Sequence, residues 1–208
     1  MKRYLSALLW AALAAQAGWT VTNTVWLHQK PGVDPLGLFL LTAFAALALG
    51  FRPRVVAAVQ VLVGLEFLEL VADRTGLLGP QGGGVSWGDF THFVSYTRQV
   101  TSFLPPGWAP ALAVAATLAE VTLGVALIAR IRVREASWAG GLLLLTYAVA
   151  MTLSLPIADA FHYLVFVQAA GILSAAAYYA PRTERSTVHT LRGRWMRPRP
   201  ATTVRLPS

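Results

Sequence analysis

Six long apolar runs, joined by short polar connections, constrain this chain more than any other feature. They fall at 5–27, 36–50, 55–72, 108–129, 136–157 and 161–179. A helix needs about 20 apolar residues to cross the hydrocarbon of a bilayer, so six such segments take up nearly the whole domain. When the runs are laid out as alternating spans, Lys2, Arg3, Arg52, Arg54, Arg130, Arg132, Arg134 and the seven arginines after Ala180 share one side, and only Lys30, Arg74 and Arg98 lie opposite. A bias of this kind is the positive-inside pattern, and it puts both termini in the cytoplasm. The expected fold is all-α: a polytopic helical membrane protein with one integral membrane domain over 1–180. A basic, disordered cytoplasmic tail is expected over 181–208, because that stretch is rich in Arg, Pro, Thr and Ser and has almost no apolar run.

Composition agrees with this layout. The chain is 56% hydrophobic and 12% charged, too little polar surface to clothe a water-soluble domain. Its formal charge of +8 sits at helix ends, which points to anionic lipid of the inner membrane and away from nucleic acid. Cysteine is absent, which removes thiolate nucleophiles, disulfide exchange and cysteine metal clusters, so any redox role needs an external cofactor. No metal-ligand spacing links His28, His92, His162 and His189, and no cofactor is encoded by a motif.

The first run admits two readings. Lys2 and Arg3, an apolar stretch and Ala15-Gln16-Ala17 resemble a secretory signal with a small-residue cleavage site, yet apolar character resumes at Trp19, Val21 and Val25 and makes a run long enough to span. The run at 36–50 is short, and reads either as a short span or as a buried or re-entrant segment. In the third run, Glu66, Glu69 and Asp73 recur at i, i+3 and i+7 and share one helical face. Acids facing lipid cost about 2.5–3.5 kcal/mol each at mid-helix, so this face looks into the bundle or toward the outer aqueous boundary. The long connection from Thr75 to Pro106 starts with a glycine-rich linker and continues over Ser86–Leu104 with helical periodicity. That second half fits either an amphipathic interfacial helix on the outer face or a packed helix capping the bundle. Glu120 is the deepest charge, roughly 18 Å inward from Trp108 at 1.5 Å per residue, and Gly124 follows one turn later.

Several ordered pieces carry a family resemblance. They are Gly64-Leu65-Glu66-Phe67, then Trp87-Gly88-Asp89-Phe90 with Phe93 to Tyr96, then Ser102-Phe103-Leu104-Pro105, Ala119-Glu120-Val121-Thr122-Leu123-Gly124 and Ala148-Val149-Ala150-Met151. In their order and spacing these resemble the DoxX-like family of small bacterial integral membrane proteins, over about 60% of the chain. The resemblance implies a four-helix membrane core, here preceded by two additional N-terminal spans, with an outer-face amphipathic helix between the first two core helices. It also implies a setting in the cytoplasmic membrane near quinone-coupled oxidation and other membrane or peripheral redox subunits.

Three functions follow from these observations. A membrane subunit of a quinone-linked redox assembly would use the polar set Glu66, Glu69, Glu120, His92, Tyr96, Arg98 and His162, since a carboxylate accepts a proton from a quinol and aromatic walls hold its ring. A small-solute or proton transporter would use Glu120 as its coupling residue, but no duplicated inverted halves are visible. A structural or assembly subunit would use the same acids as packing anchors. The residues leave open whether the chain is itself an enzyme.

Overall fold

A computed structural model describes residues 2–26, 35–82 and 84–179. The expected tail and most of the turn between the first two runs lie outside the described residues. Eight α-helices occur among the described residues: α1 (Lys2–Val21), α2 (Pro35–Leu49), α3 (Pro53–Arg74), α4 (Phe90–Val100), α5 (Ala109–Ile128), α6 (Val133–Ser154), α7 (Ile157–His162) and α8 (Val165–Tyr178). α1 continues into a π-helical turn over Thr22–Trp26, and a 3₁₀ turn, Pro106–Trp108, leads into α5.

Local chemistry places the helix ends. Pro53 opens α3 after an extended Arg52, where the missing N–H is no loss. Asp89 caps α4 by accepting from the His92 backbone N–H. α6 stops one residue before Pro156, at an extended Leu155. The last apolar run is not one helix, because Leu164 adopts a left-handed conformation (φ 55°) and divides it into α7 and α8.

α3, α5, α6 and α8 form a ring of four packed helices, while α1 and α2 pack outside it against α8 and α3. The N-terminal helix is fitted to the bundle: Leu9 is fully buried, Ser174 Oγ donates to the Leu5 carbonyl, and Gln16 Nε2 donates to the Phe161 carbonyl. α3 and α5 approach most closely at Gly64 and Gly124, where a Cβ on Gly64 would meet the Gly124 carbonyl at 2.9 Å and one on Gly124 would meet the Gly64 carbonyl at 3.0 Å. Small residues at such a crossing give backbone-to-backbone packing that lipid cannot replace.

The outside of this bundle is greasy. Leu118, Val125, Leu142, Val149 and Leu153 all project away from other protein atoms. In water that surface would be a liability, whereas in hydrocarbon it is the required solvent face. Four helical stretches, Tyr4–Val25, Pro53–Arg74, Pro106–Ile128 and Val133–Ser154, are long and apolar enough to cross a membrane, and α2 and α8 are shorter apolar helices.

The two ends of the bundle differ. At one end Arg130 Nη2 donates to the Tyr179 hydroxyl, which donates to Gln60 Oε1, while Gln60 Nε2 donates to Ser137 Oγ. This chain of bonds ties α3, α5, α6 and α8 beside Arg52, Arg54, Arg130, Arg132 and Arg134. At the other end lie the α3–α4 connection, α4 and α7.

Candidate functional site

The second end of the bundle is organised by adjacent residues at the C-terminus of α3. Asp73 turns outward to the connection and accepts three backbone N–H groups, from Ser86 at 2.7 Å, Trp87 at 2.9 Å and Gly88 at 2.9 Å. Gly88 suits this turn, having φ 69° and no room for a Cβ, which would lie 2.4 Å from the Gln81 nitrogen. The clasp seats Trp87 beneath α4, edge-on to Phe93 with ring centroids 5.0 Å apart.

Arg74 turns the opposite way. As expected of a helical side chain pointing back toward the N-terminus, it folds along α3 and donates Nε to the Leu70 carbonyl. There Nη2 meets Glu120 Oε2 at 2.6 Å, Nη1 donates to Thr117 Oγ1 at 3.2 Å, and the guanidinium carbon lies 3.7 Å from the Phe93 ring centroid. Tyr147 completes the cluster from α6 by donating its hydroxyl to Glu120 Oε1 at 2.7 Å. Arg74 and Glu120 side chains are each only 1% exposed. A pair withdrawn this far from solvent holds its charges only because both carboxylate oxygens and three guanidinium nitrogens have partners.

A second polar cluster lies deeper along the same helix, two turns back at Glu66. Gln168 Nε2 of α8 donates to Glu66 Oε1 at 3.2 Å and to the Tyr163 carbonyl at 3.3 Å. The break at Leu164 places that carbonyl at the head of α8, within reach of the amide. Between the two clusters lies a cavity of about 430 Å³ bounded by α3, α4, α5, α6 and α8. Glu66, Arg74, Glu120, Tyr147 and Gln168 are its polar landmarks, while Leu70, Leu112, Leu144, Met151 and Val165 supply much of its apolar wall. A volume of a few hundred Å³, mostly apolar with few polar groups, is the usual form of a small-molecule site.

The structure gathers only part of the polar set read from the sequence. Glu66, Tyr96 and Glu120 line the cavity. Glu69, His92, Arg98 and His162 are exposed outside it. His92 instead pairs through Nδ1 with Asp89 at 2.8 Å, and the His162 ring stands edge-on to Tyr163. Burial holds the Tyr96 phenol above its usual range, so its hydroxyl stays protonated. Gln60 and Thr152, natural candidates to share a network with Glu120, are engaged elsewhere, Gln60 with Ser137 and Thr152 with the Ala148 carbonyl. Gln168, another such candidate, pairs with Glu66 instead, and Arg74 and Tyr147 are the partners that the sequence left unassigned. Arg74 had a signal: it comes directly after Asp73, the last acid of the α3 face that carries Glu66 and Glu69.

Fold and site together define an all-α polytopic membrane protein, with a four-helix core that, together with α4, lines a cavity carrying a buried ion pair. Over residues 82–159, a little over a third of the chain, the sequence is similar to the family described as methylamine utilisation protein MauE. The DoxX-like family does not match. No curated protein and no solved structure matches the chain. The matched stretch contains Trp87, Phe93, Glu120 and Tyr147 and stops short of Glu66, Arg74 and Gln168.

Proposed function

We propose that this protein is a membrane subunit of a redox assembly in the bacterial inner membrane, and that its cavity holds a lipid-soluble, quinone-like molecule. The observation that carries this reading is the cavity itself: an apolar chamber inside a lipid-embedded bundle, with acids at Glu66 and Glu120 and aromatic rings at Trp87, Phe93, Tyr96 and Tyr163. Aromatic walls accommodate a flat ring, and a carboxylate beside the ring is the group needed to accept a proton when a quinol is oxidised. Similarity to a family named for methylamine utilisation supports a redox setting, because drawing energy from methylamine requires oxidation of its carbon. Both termini are proposed to be cytoplasmic, with α4 and the cavity toward the outer surface.

In this reading Arg74, Glu120 and Tyr147 shape and rigidify the chamber, Glu66 and Gln168 supply its second polar contact, and Glu69, His92, Arg98 and His162 belong to the rim. The test is extraction of the protein in native-lipid discs followed by mass spectrometry of its lipids. An isoprenoid quinone is expected at near-stoichiometric amount, and is expected to be lost when Ala119→Phe fills the cavity. Quinone at no more than its abundance in the surrounding membrane would refute the reading. The buried pair also suits a scaffold subunit, since its bonds are satisfied within the protein. That account predicts normal assembly of the wild-type complex with no cavity ligand.

A further inference from the structure

The cavity reaches the outer surface of the bundle along one seam. None of the wall residues contributed by α3, α4 or α8 is exposed, and Trp87, which precedes α4, is buried as well. Among the described residues that line the chamber, the exposed ones are Ala115 of α5 and Thr146 of α6. Each stands one turn from side chains that face lipid, Ala115 from Leu118, and Thr146 from Leu142 and Val149. The same two residues thus belong to the chamber and to the greasy outside, so the seam between α5 and α6 is an opening.

Packing explains why it lies there. α5 and α6 are joined by a tight turn, yet they pack against each other less extensively than α3 does against α5 or α6 against α8. Along their length Tyr147 bridges them, its hydroxyl reaching Glu120 at 2.7 Å. Toward α4 from this bond, the α5 wall residues are Ala115, Ala116 and Ala119, which are too small to fill the space against α6.

Ala115 is six residues into α5 and Thr146 eight residues before the end of α6, so the opening lies roughly 9–12 Å below the helix ends at 1.5 Å per residue. In helices that just span a bilayer this is hydrocarbon, which is about 15 Å deep in each leaflet. Thr146 brings no unsatisfied group to lipid there, because its hydroxyl donates to the Leu142 carbonyl. The chamber itself holds about 430 Å³, near the lower end of the roughly 300–1,000 Å³ that takes a drug-sized molecule. A ring and the start of a chain fill it. The rest of a long tail has to leave, and an apolar seam at hydrocarbon depth lets it do so without meeting water.

We infer that the α5–α6 seam is a tail site: a ligand with a compact head on a long hydrocarbon chain enters sideways from the bilayer, and its chain passes out between Ala115 and Thr146 into lipid. That the head is quinone-like rests on the proposed function, whereas the opening stands on its own geometry. Tail length beyond the seam then has no bearing on binding.

The test uses the full-length protein in nanodiscs with two photoreactive probes applied in turn, decylquinone carrying a diazirine at its tail end and a phosphatidylcholine carrying one at the end of an acyl chain. Labelled positions are mapped by peptide mass spectrometry. The quinone probe is expected to label 115–119 and 142–146, and unlabelled decylquinone to suppress that labelling. A long isoprenoid quinone at equal mole fraction in the disc should suppress it equally well. Suppression severalfold weaker would confine the tail within the chamber and overturn the inference, as would suppressible labelling on α4 or at 86–89 in place of the seam. If the quinone probe gives no suppressible labelling, the quinone reading fails and the lipid probe decides the opening. Acyl chains that enter will label Leu144 and Met151, which are buried from the outer surface, and Ala115→Trp with Thr146→Trp should cut that labelling severalfold. Because the wild-type map decides by itself, a variant that fails to fold leaves the result intact. Lipid labelling confined to outward-facing residues such as Leu118 and Val149 would then show the seam closed and overturn the inference.

Discussion

Arg74 at the end of α3 and Glu120 in the middle of α5 form an ion pair of 2.6 Å that is almost wholly removed from solvent. Breaking a buried pair by removing one partner leaves an uncompensated charge and costs about 3–5 kcal/mol, whereas replacing both with apolar groups is often near neutral. Arg74→Met and Glu120→Leu are each expected to lower the detergent-solubilised melting temperature sharply, and the double variant to regain most of the loss. Additive losses in the double-mutant cycle would show that the two residues do not act as a pair. Glu120→Gln keeps the size and an acceptor for Tyr147, so it should fold and be intermediate in stability.

The Asp73 clasp predicts a local effect. Asp73→Ala removes the acceptor of three backbone N–H groups, each costing about 1–3 kcal/mol if left buried and unbonded. Faster hydrogen exchange is expected across Ser86–Val100, with α5 and α6 unaffected. Uniform acceleration through all the helices would mean that the clasp supports the entire bundle.

Asp89 gives α4 a defined pH dependence. Its carboxyl is held below the ordinary value of 3.8, first by the His92 backbone N–H and then by the His92 ring. A group with a lowered folded pKa contributes stability that is fully present above its unfolded pKa and is lost as pH falls through the folded one. Fraying of α4 is therefore expected only under acid conditions below the ordinary aspartate range. Asp89→Ala should show the same fraying at neutral pH, while Asp89→Asn should still cap.

At the α3–α5 crossing, Gly64→Val or Gly124→Val puts side-chain atoms where the partner's backbone lies. Each is expected to cost about 1–3 kcal/mol through overpacking, with strong non-additivity because one separation of the helices relieves both. Measured melting temperatures that fall no further than those of Gly107→Val, where a Cβ meets open space, would remove the close-contact account.

Topology is open to a direct chemical test because the chain has no cysteine. Single cysteines at Gly82, Arg132 and Thr187 are expected to react with an impermeant thiol reagent on intact cells at Gly82 alone. Labelling of Arg132→Cys from outside would invert or break the proposed arrangement.

Helix positions were legible in the apolar runs because bilayer thickness and internal backbone hydrogen bonding leave a membrane chain few alternatives. The expectation of one helix over the last run did not survive at Leu164, since a left-handed residue inside an apolar stretch leaves no compositional mark. The importance of Glu120 was also legible, because a carboxylate at that depth needs a partner. Which partner it has was not. Arg74 and Tyr147 lie far from Glu120 in sequence on two other helices, and by charge order alone Arg74 reads as an outer-surface cation rather than the buried half of an ion pair. The separation of Glu66, Tyr96 and Glu120 from Glu69, His92, Arg98 and His162 likewise depends on how each helix is rotated in the bundle. The sequence alone therefore determined an all-α protein built to meet lipid on its outside, since length and hydropathy are local properties. Only the tertiary structure decided which polar side chains face one another across the cavity, because helix rotation and crossing are set by packing among several helices at once.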